Sequence, residues 1–445
     1  MANMLEKLKN WWKWNPEFEK NSADNPVTAL SEHQRRNAGP LLALAFGWGF
    51  LVTGLFTGGL LGNGLPFWPD IVLASFLGNL VNFIIGAFVG YIGYKTACNS
   101  GILYRYVYGN AGAYIPVVFI SILLIGWQGI VVGAFGATWT TALHPELPVS
   151  EIFSSTTFYI AAVFAGILYT ATTYFGVKGL EKVSIPSVAV LVFVGLYAIY
   201  LNIQQAGGLS NFQALSAELA AKNPLTMVQA INLVIGSWIV GAVVMPEYTR
   251  FAKKTWVAIA IPFIVLIFAQ WFLQIVGALG GIVSGDFMFT TYLMDQGIII
   301  AWIGIIGMSL ALWTTGDANL YLPVIQTSSI FKRPQHVTTV ICGTLGTILG
   351  LGLYQNFMEW INLLASIVPP LIGPVIVEYY FVNREKFHTD HLDNISKWNP
   401  AAFIAYTLGA ASTFYSPDWG TPSLIGLLVS MLVYLILRMR LKTKV

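Results

Sequence analysis

The stretch that decides the fold reads VIGSWIVGAVVMPEYTRF and occupies residues 234–251. It lies inside a long apolar run, yet it contains Gly236, Ser237 and Gly241 and, shortly afterwards, a proline. A helix buried in lipid gains no stability from such residues, because glycine and proline weaken helices. Irregular backbone persists at membrane depth only where it lines a cavity or packs inside protein. The stretch therefore predicts an unwound turn at Gly236–Ser237 and Gly241 that faces a binding site.

The composition is that of a membrane protein. The chain has 445 residues, of which 56% are hydrophobic, 14% aromatic and only 10% charged, and its mean hydropathy is +0.68. Soluble globular domains carry about 25% charged residues. A chain with so little polar surface is predicted to be an all-α polytopic membrane protein.

A membrane-crossing helix needs about 20 apolar residues. Twelve such segments follow one another, and we number them spans 1 to 12. Their approximate limits are 41–64, 71–97, 113–142, 156–177, 183–204, 228–247, 255–284, 297–331, 337–354, 358–382, 399–415 and 421–438.

Charge predicts the orientation of these spans. With the N-terminus in the cytoplasm, Lys222 alone among the Lys and Arg residues falls on the outer side, which leaves 22 of the 23 inside. The positive-inside rule predicts this bias when the number of spans is right. We therefore expect a multi-pass protein of the cell membrane with both termini cytoplasmic. The net charge of +3 then reflects topology, and no nucleic-acid partner is predicted.

The spans divide the chain into five predicted parts. These are a cytoplasmic tail (1–40), a ten-helix transport core (41–383), a cytoplasmic loop (384–398), two additional transmembrane helices (399–438) and a cytoplasmic C-terminal tail (439–445).

A second span has the same weakened character as span 6. Span 1 contains AFGWGFLVTGLFTGG at 45–59, with Gly47, Gly49 and Gly54 near its centre. Because five spans separate the two, the spacing predicts a five-plus-five inverted repeat in which helices 1 and 6 are broken around a central site. The alternative is that these glycines only allow close packing of helices.

Span 8 contributes two adjacent hydroxyls, Thr314 and Thr315, to an otherwise apolar helix. One interpretation is that each hydroxyl bonds back to the preceding turn of its own helix. The other is a Na⁺ site, since Na⁺ prefers hard oxygen ligands and unwound backbone nearby supplies further oxygens.

Six motifs follow one another along the chain: FTGGLLGNGL (56–65), GYIGYKTA (90–97), GSW with GA (236–242), EYTRF (247–251), LWTTGDANLY (312–321) and VPP (368–370). They resemble the motifs of the nucleobase:cation symporter-1 family, and above all those of its cytosine permeases. The resemblance covers roughly residues 36–440 and implies the fold of Na⁺-coupled amino-acid transporters, with spans 1–10 forming the repeat.

The resemblance also implies two sites. The Na⁺ site would use the backbone carbonyls of Gly47, Phe50 and Ala311 and the hydroxyls of Thr314 and Thr315. The substrate site would be an aromatic sandwich of Trp127 and Trp238, with backbone groups of Gly47, Ser237 and Gly241 and side chains of Gln128, Asn319 and Ser237 reading the edges of the ring. Na⁺ is the predicted coupling ion, and no organic cofactor is expected.

Three positions depart from the cytosine-permease pattern, which has polar side chains where this chain has Leu124, Val240 and Ala311. The polar contacts that would hold cytosine are therefore fewer here. A less polar or larger heterocycle fits the sequence equally well.

The sequence thus predicts a monomeric secondary transporter that imports a small flat heterocycle by cation symport, and not an enzyme. A proton-coupled member of the same family and an amino-acid or amine transporter of the same fold are the alternatives.

Other candidate site residues carry less weight. Asp317 and Glu247 lie near span ends, where each is expected to cap or pair, Glu247 with Arg250. The loop between spans 10 and 11 contains four residues with side chains that can bind metals: His388, Asp390, His391 and Asp393. A solvated loop is the simpler interpretation of this group.

Overall fold

The fold was examined in a computed structural model, which describes residues 12, 13, 15, 28–175, 192, 193, 195–284, 298–383 and 395–442. Over these residues the regular structure is helical, apart from one isolated bridge between Arg36 and Ala252. Seven described helices are long and apolar enough to cross a membrane singly, and a bent pair in span 1 makes an eighth. The all-α fold predicted from the sequence is confirmed, and the described helices are consistent with the twelve predicted spans.

The helices of each span are as follows: span 1, Ala38–Gly49 and Thr53–Gly62; span 2, Val72–Thr96; span 3, Tyr114–Leu143; span 4, Thr156–Thr173; span 5, the helical residues 192, 193 and 195–205; span 6, Met227–Val243 and Pro246–Thr249; span 7, Thr255–Pro262, the π-helix Phe263–Gln270 and Trp271–Ser284; span 8, Ile298–Phe331; span 9, Gln335–Gly350; span 10, Phe357–Val377; span 11, Pro400–Thr413; span 12, Pro422–Lys442. Three shorter α-helices of the described residues lie between spans: Ser100–Tyr108, Val149–Ile152 and Leu209–Lys222. The last helix continues four residues past the predicted end of span 12.

Span 1 is broken close to where its glycines predict. Its two helices are bent by 43°. The helical hydrogen-bond pattern ends at Phe50, whose N–H donates to the Phe46 carbonyl at 3.0 Å and whose ψ of 49° is not helical. We call residues 50–52 the span-1 break.

Span 6 differs from the prediction. Its helix is continuous from Met227 to Val243 and runs through Gly236, Ser237 and Gly241, so the unwound turn expected there was wrong. The helix is interrupted at residues 244–245 and resumes as one turn, Pro246–Thr249. Proline lacks an N–H and terminates the preceding helix, which explains why the interruption precedes it.

Close packing explains the glycines of spans 1 and 6. A Cβ on Gly236 would meet the Ile361 carbonyl of span 10, and one on Gly241 would meet the Trp238 ring. A Cβ on Gly54 would lie 2.7 Å from Gln270 Oε1 of span 7. At Gly236 and Gly54 the alternative weighed from the sequence, close packing of helices, is the right one, whereas the group next to Gly241 belongs to the same helix.

The outer surface of the bundle is apolar. In span 4, Ile160, Phe164 and Ile167 are 67%, 58% and 65% exposed and recur at helical spacing on one face. In water such a surface would be unfavourable, whereas hydrocarbon is its natural solvent. The inner faces of spans 1, 3, 6 and 8 meet at the centre of the bundle.

Candidate substrate and cation site

A small cavity of about 30 Å³ lies between spans 1, 3, 6 and 8. We call it the central cavity. Its lining comes from four stretches of chain: Trp48, Leu51 and Thr53; Leu124 and Trp127; Ser237, Trp238, Val240 and Gly241; and Asn319 and Leu322. Five of the seven substrate residues predicted from the sequence line it, namely Trp127, Ser237, Trp238, Gly241 and Asn319.

Three tryptophans form its aromatic walls. Trp127 and Trp238 are each 5% exposed. Trp48 packs edge-to-face against Trp238, with ring centroids 5.1 Å apart, and stacks on Tyr248 at 4.0 Å. Trp48 therefore restricts the orientation of the Trp238 ring. Sequence reasoning missed Trp48 as a site residue, although its place between two glycines of a broken span is a signal that marks it.

The polar groups of the central cavity are few. Ser237 Oγ donates to the Val234 carbonyl at 2.8 Å, so its proton is used within span 6. Asn319 Nδ2 is buried and has no acceptor among the described residues. An unpaired buried donor costs about 1–3 kcal/mol, and a ligand carbonyl or ring nitrogen would relieve that cost. Thr53 adds a hydroxyl to the lining.

Two predicted substrate residues lie elsewhere. Gln128 packs on Gly346 of span 9 and is absent from the cavity lining. Both of its amide atoms are buried without a partner in the described part of the chain. Gly47 is buried within Ala38–Gly49 and is likewise absent from the lining. The side chain of Gln128 follows Trp127 by one residue, so the helix turns it about 100° away from the cavity.

The predicted cation ligands of span 8 meet the span-1 break. Thr315 Oγ1 accepts from the Val52 N–H at 3.2 Å and donates to the Ala311 carbonyl at 2.7 Å. Thr314 Oγ1 donates to the same carbonyl at 3.0 Å. Both threonines thus make the bond to the preceding turn that was the alternative interpretation. The arrangement nevertheless gathers three oxygens opposite the break.

Two buried carboxylates have partners outside this region. Asp317 Oδ1 accepts from Thr172 Oγ1 of span 4 at 2.6 Å and from Thr173 Oγ1 at 3.4 Å. Glu247 accepts from the Ser100 N–H at 3.1 Å, and Arg250 Nε donates to the Glu247 backbone carbonyl at 3.4 Å.

The loop residues His388 to Asp393 lie outside the described residues. Among the residues that are described, no group of three His, Cys, Asp or Glu side chains is arranged to hold a metal.

The contact between Gly241 and Trp238 gives a prediction. Gly241→Ala should stabilise an isolated helix by about 0.8–1 kcal/mol, but the added methyl would displace the Trp238 ring. We expect substrate affinity to fall about tenfold, a loss of about 1.4 kcal/mol, measured by titration calorimetry. Gly39→Ala is the control, because a Cβ at Gly39 meets nothing within 4 Å. Unchanged affinity in Gly241→Ala would contradict this assignment.

A bundle of apolar helices with a broken first span and a cavity at its centre is the architecture of an inverted-repeat membrane transporter. A family model described as a permease for cytosine/purines, uracil, thiamine and allantoin matches residues 31–435. The chain belongs to this family, the nucleobase:cation symporter-1 family recognised from its motifs, and it is a transporter and not an enzyme.

Individual relatives agree with this assignment. The cytosine permease of Escherichia coli (strain K12) is 30% identical over 89% of this chain and 90% of the relative. The hydantoin permease of Microbacterium maritypicum is 22% identical over 94% of this chain and 90% of the relative. The fold is shared with Mhp1 in an inward-facing conformation, at TM-score 0.79 and 20% identity over 94% and 93% of the two chains. A closed conformation of Mhp1 with bromovinylhydantoin bound matches with a TM-score of 0.77 and 21% identity, over 95% of this chain and 96% of that chain.

Proposed function

We propose that this protein imports a small flat heterocycle across the cell membrane by symport with Na⁺. The observation that carries the proposal is the central cavity, in which Trp127 and Trp238 come from different spans beside the span-1 break. Flat rings stack on aromatic side chains with about 1–3 kcal/mol per contact. Secondary transporters of this architecture bind substrate and ion together at such a break.

Substrate recognition combines stacking with a small number of polar contacts. The rings of Trp127 and Trp238 hold the faces of the heterocycle, and the Asn319 amide donates to an acceptor on its edge. Backbone groups of Ser237 and Gly241 complete the edge contacts. Leu124 and Val240 offer no hydrogen bond, so the matching edge of the substrate is apolar. Cytosine, hydantoin and their relatives define the chemical class, because named relatives transport or bind such rings.

Na⁺ binds between span 1 and span 8 in this proposal. The Ala311 carbonyl and the hydroxyls of Thr314 and Thr315 supply oxygens from span 8, and the carbonyls of Gly47 and Phe50 supply them from span 1. The contact between Thr315 and Val52 supports this pairing of spans. Na⁺ would order the span-1 break and thereby complete the neighbouring cavity.

One Na⁺ suffices for accumulation. A monovalent cation that crosses 100 mV gains about 2.3 kcal/mol, and a tenfold gradient adds about 1.4 kcal/mol. The sum, about 3.7 kcal/mol, corresponds to several-hundred-fold accumulation of a neutral solute. Alternating access follows from rocking of one half of the repeat against the other. We further propose a monomer with both termini cytoplasmic, in keeping with the charge bias.

Proton symport is the second candidate. It is favoured by Glu247, a carboxylate that is 5% exposed at the end of span 6, since buried carboxylates in membrane spans commonly mark ion pathways. An amino-acid or amine transporter has less support, because the residues that line the central cavity in the described part of the chain are uncharged.

Replacement of Thr315 tests the ion. We expect substrate binding to the native protein to require Na⁺ and not K⁺. Thr315→Ala should raise the half-saturating Na⁺ concentration about tenfold or more, equivalent to about 1.4 kcal/mol, with a smaller effect on thermal stability. Thr327→Ala is the matched control, because Thr327 bonds back to Pro323 within the same span. Equal binding in both salts, with transport that follows pH, would reject Na⁺ and support protons.

A further inference from the structure

Four amide side chains are buried in spans 2 and 7, the second helices of the two repeats. Asn79 and Asn82 lie one turn apart in span 2, Gln270 and Gln274 lie one turn apart in span 7, and none has any exposed surface. Buried polar side chains are costly in a membrane protein. Their hydrogen bonds therefore indicate what they are for.

Gln270 holds the span-1 break. Its Nε2 donates to the carbonyls of Gly49 at 2.6 Å and Leu51 at 3.3 Å, on either side of Phe50. Carbonyls released by a helix break are costly to leave unpaired at membrane depth. Gln270 is the last residue of the π-helical segment of span 7, and such local widening is frequent at functional sites. Gly54 leaves room for its Oε1.

Asn82 makes the corresponding contact between span 2 and span 6. Its Nδ2 donates to the carbonyls of Val234 at 3.3 Å and Ile235 at 3.1 Å in span 6. These carbonyls lie one turn before Ser237 and Trp238. Each second helix thus contacts the first helix of the opposite repeat. Asn79 Nδ2 joins the two second helices by donating to Gln274 Oε1 at 2.7 Å.

We propose that Gln270 and Asn82 are a crossed pair of positioning residues. Gln270 fixes the backbone of the span-1 break and so sets the affinity for the cation. Asn82 fixes the segment of span 6 that carries Trp238 and so sets the affinity for the heterocycle. This inference rests on the proposed function. It predicts that one amide controls the affinity for the cation and the other controls the affinity for the heterocycle.

The test compares Gln270→Leu, Asn82→Leu and the control Gln274→Leu, which removes an equally buried amide from the same span without touching the break. Two quantities are measured by scintillation proximity binding: the half-saturating Na⁺ concentration, and the substrate Kd in saturating Na⁺. Gln270→Leu should raise the half-saturating Na⁺ concentration about tenfold and leave the substrate Kd within about threefold. Asn82→Leu should raise the Kd about tenfold and leave the Na⁺ requirement within about threefold. Gln274→Leu should change neither.

Gln270→Asn keeps an amide but shortens its reach by one methylene, so it should shift the Na⁺ requirement in the same direction even if Gln270→Leu folds poorly. A Na⁺ requirement equal in the Gln270 and Gln274 variants, or identical changes in both quantities for all variants, would overturn the inference. A native protein that binds substrate equally without Na⁺ would instead reject the sodium site of the proposed function. The substrate Kd of Asn82→Leu would then still test whether Asn82 sets the affinity for the heterocycle.

Discussion

Cytosine should bind this protein about 30- to 20,000-fold more weakly than it binds a site that pairs its polar groups. Leu124 and Val240 line the central cavity at two positions where the sequence departs from the cytosine-permease pattern, and each unpaired polar group of cytosine would cost about 1–3 kcal/mol. Two such losses give about 2–6 kcal/mol, which converts to that range of affinity. The measurement is a thermal-shift screen in NaCl with pyrimidines, purines, hydantoins, allantoin and pyrimidine or pyridine vitamins.

The same reasoning predicts a gain of function. Val240→Ser, alone or together with Leu124→Gln, should improve cytosine binding by about 1–3 kcal/mol per restored contact. Val243→Ser is the control, because Val243 is equally buried in span 6 but does not line the cavity. Strong stabilisation of the native protein by cytosine would contradict the prediction and show that stacking and backbone contacts suffice.

Removal of either stacking ring should abolish most substrate binding. Trp127→Ala and Trp238→Ala should each cost roughly 1–3 kcal/mol of binding free energy, or about 5- to 150-fold in Kd, while replacement by Phe should cost less. Trp256→Ala is the control, since Trp256 is 53% exposed at the start of span 7. Equilibrium binding to purified protein provides the measurement. Normal binding by both alanine variants would place the substrate outside the space between spans 3 and 6.

Much of the fold follows from the sequence because lipid imposes a simple rule. Each crossing needs a long apolar helix, so twelve runs and the positions of Lys and Arg suffice to lay out the spans. The same rule identified the span-1 break from Gly47 and Gly49. The resemblance to the family, and not this rule, brought together Trp127, Trp238 and Asn319, three residues from three spans that line one cavity.

The errors arise where one residue type serves two purposes. Glycine both weakens a helix and permits close packing, and the choice depends on what occupies the space of the missing Cβ. At Gly236 that space holds a carbonyl of span 10, and at Gly241 it holds the Trp238 ring. The span-10 carbonyl is not visible in the local sequence, and Trp238, although only three residues before Gly241, does not reveal there that its ring lies against the glycine. The direction of Gln128 and the role of Gln270 depend in the same way on tertiary contacts.

Uptake into proteoliposomes tests the central claim most directly. The heterocycle selected by the screen is supplied outside vesicles that contain K⁺, with Na⁺ or K⁺ in the outer buffer and the same pH on both sides. The account predicts accumulation only with an inward Na⁺ gradient, abolished in Trp127→Ala and weakened in Thr315→Ala. Accumulation driven by a pH gradient without Na⁺, or accumulation of amino acids or amines in place of any heterocycle, would contradict it.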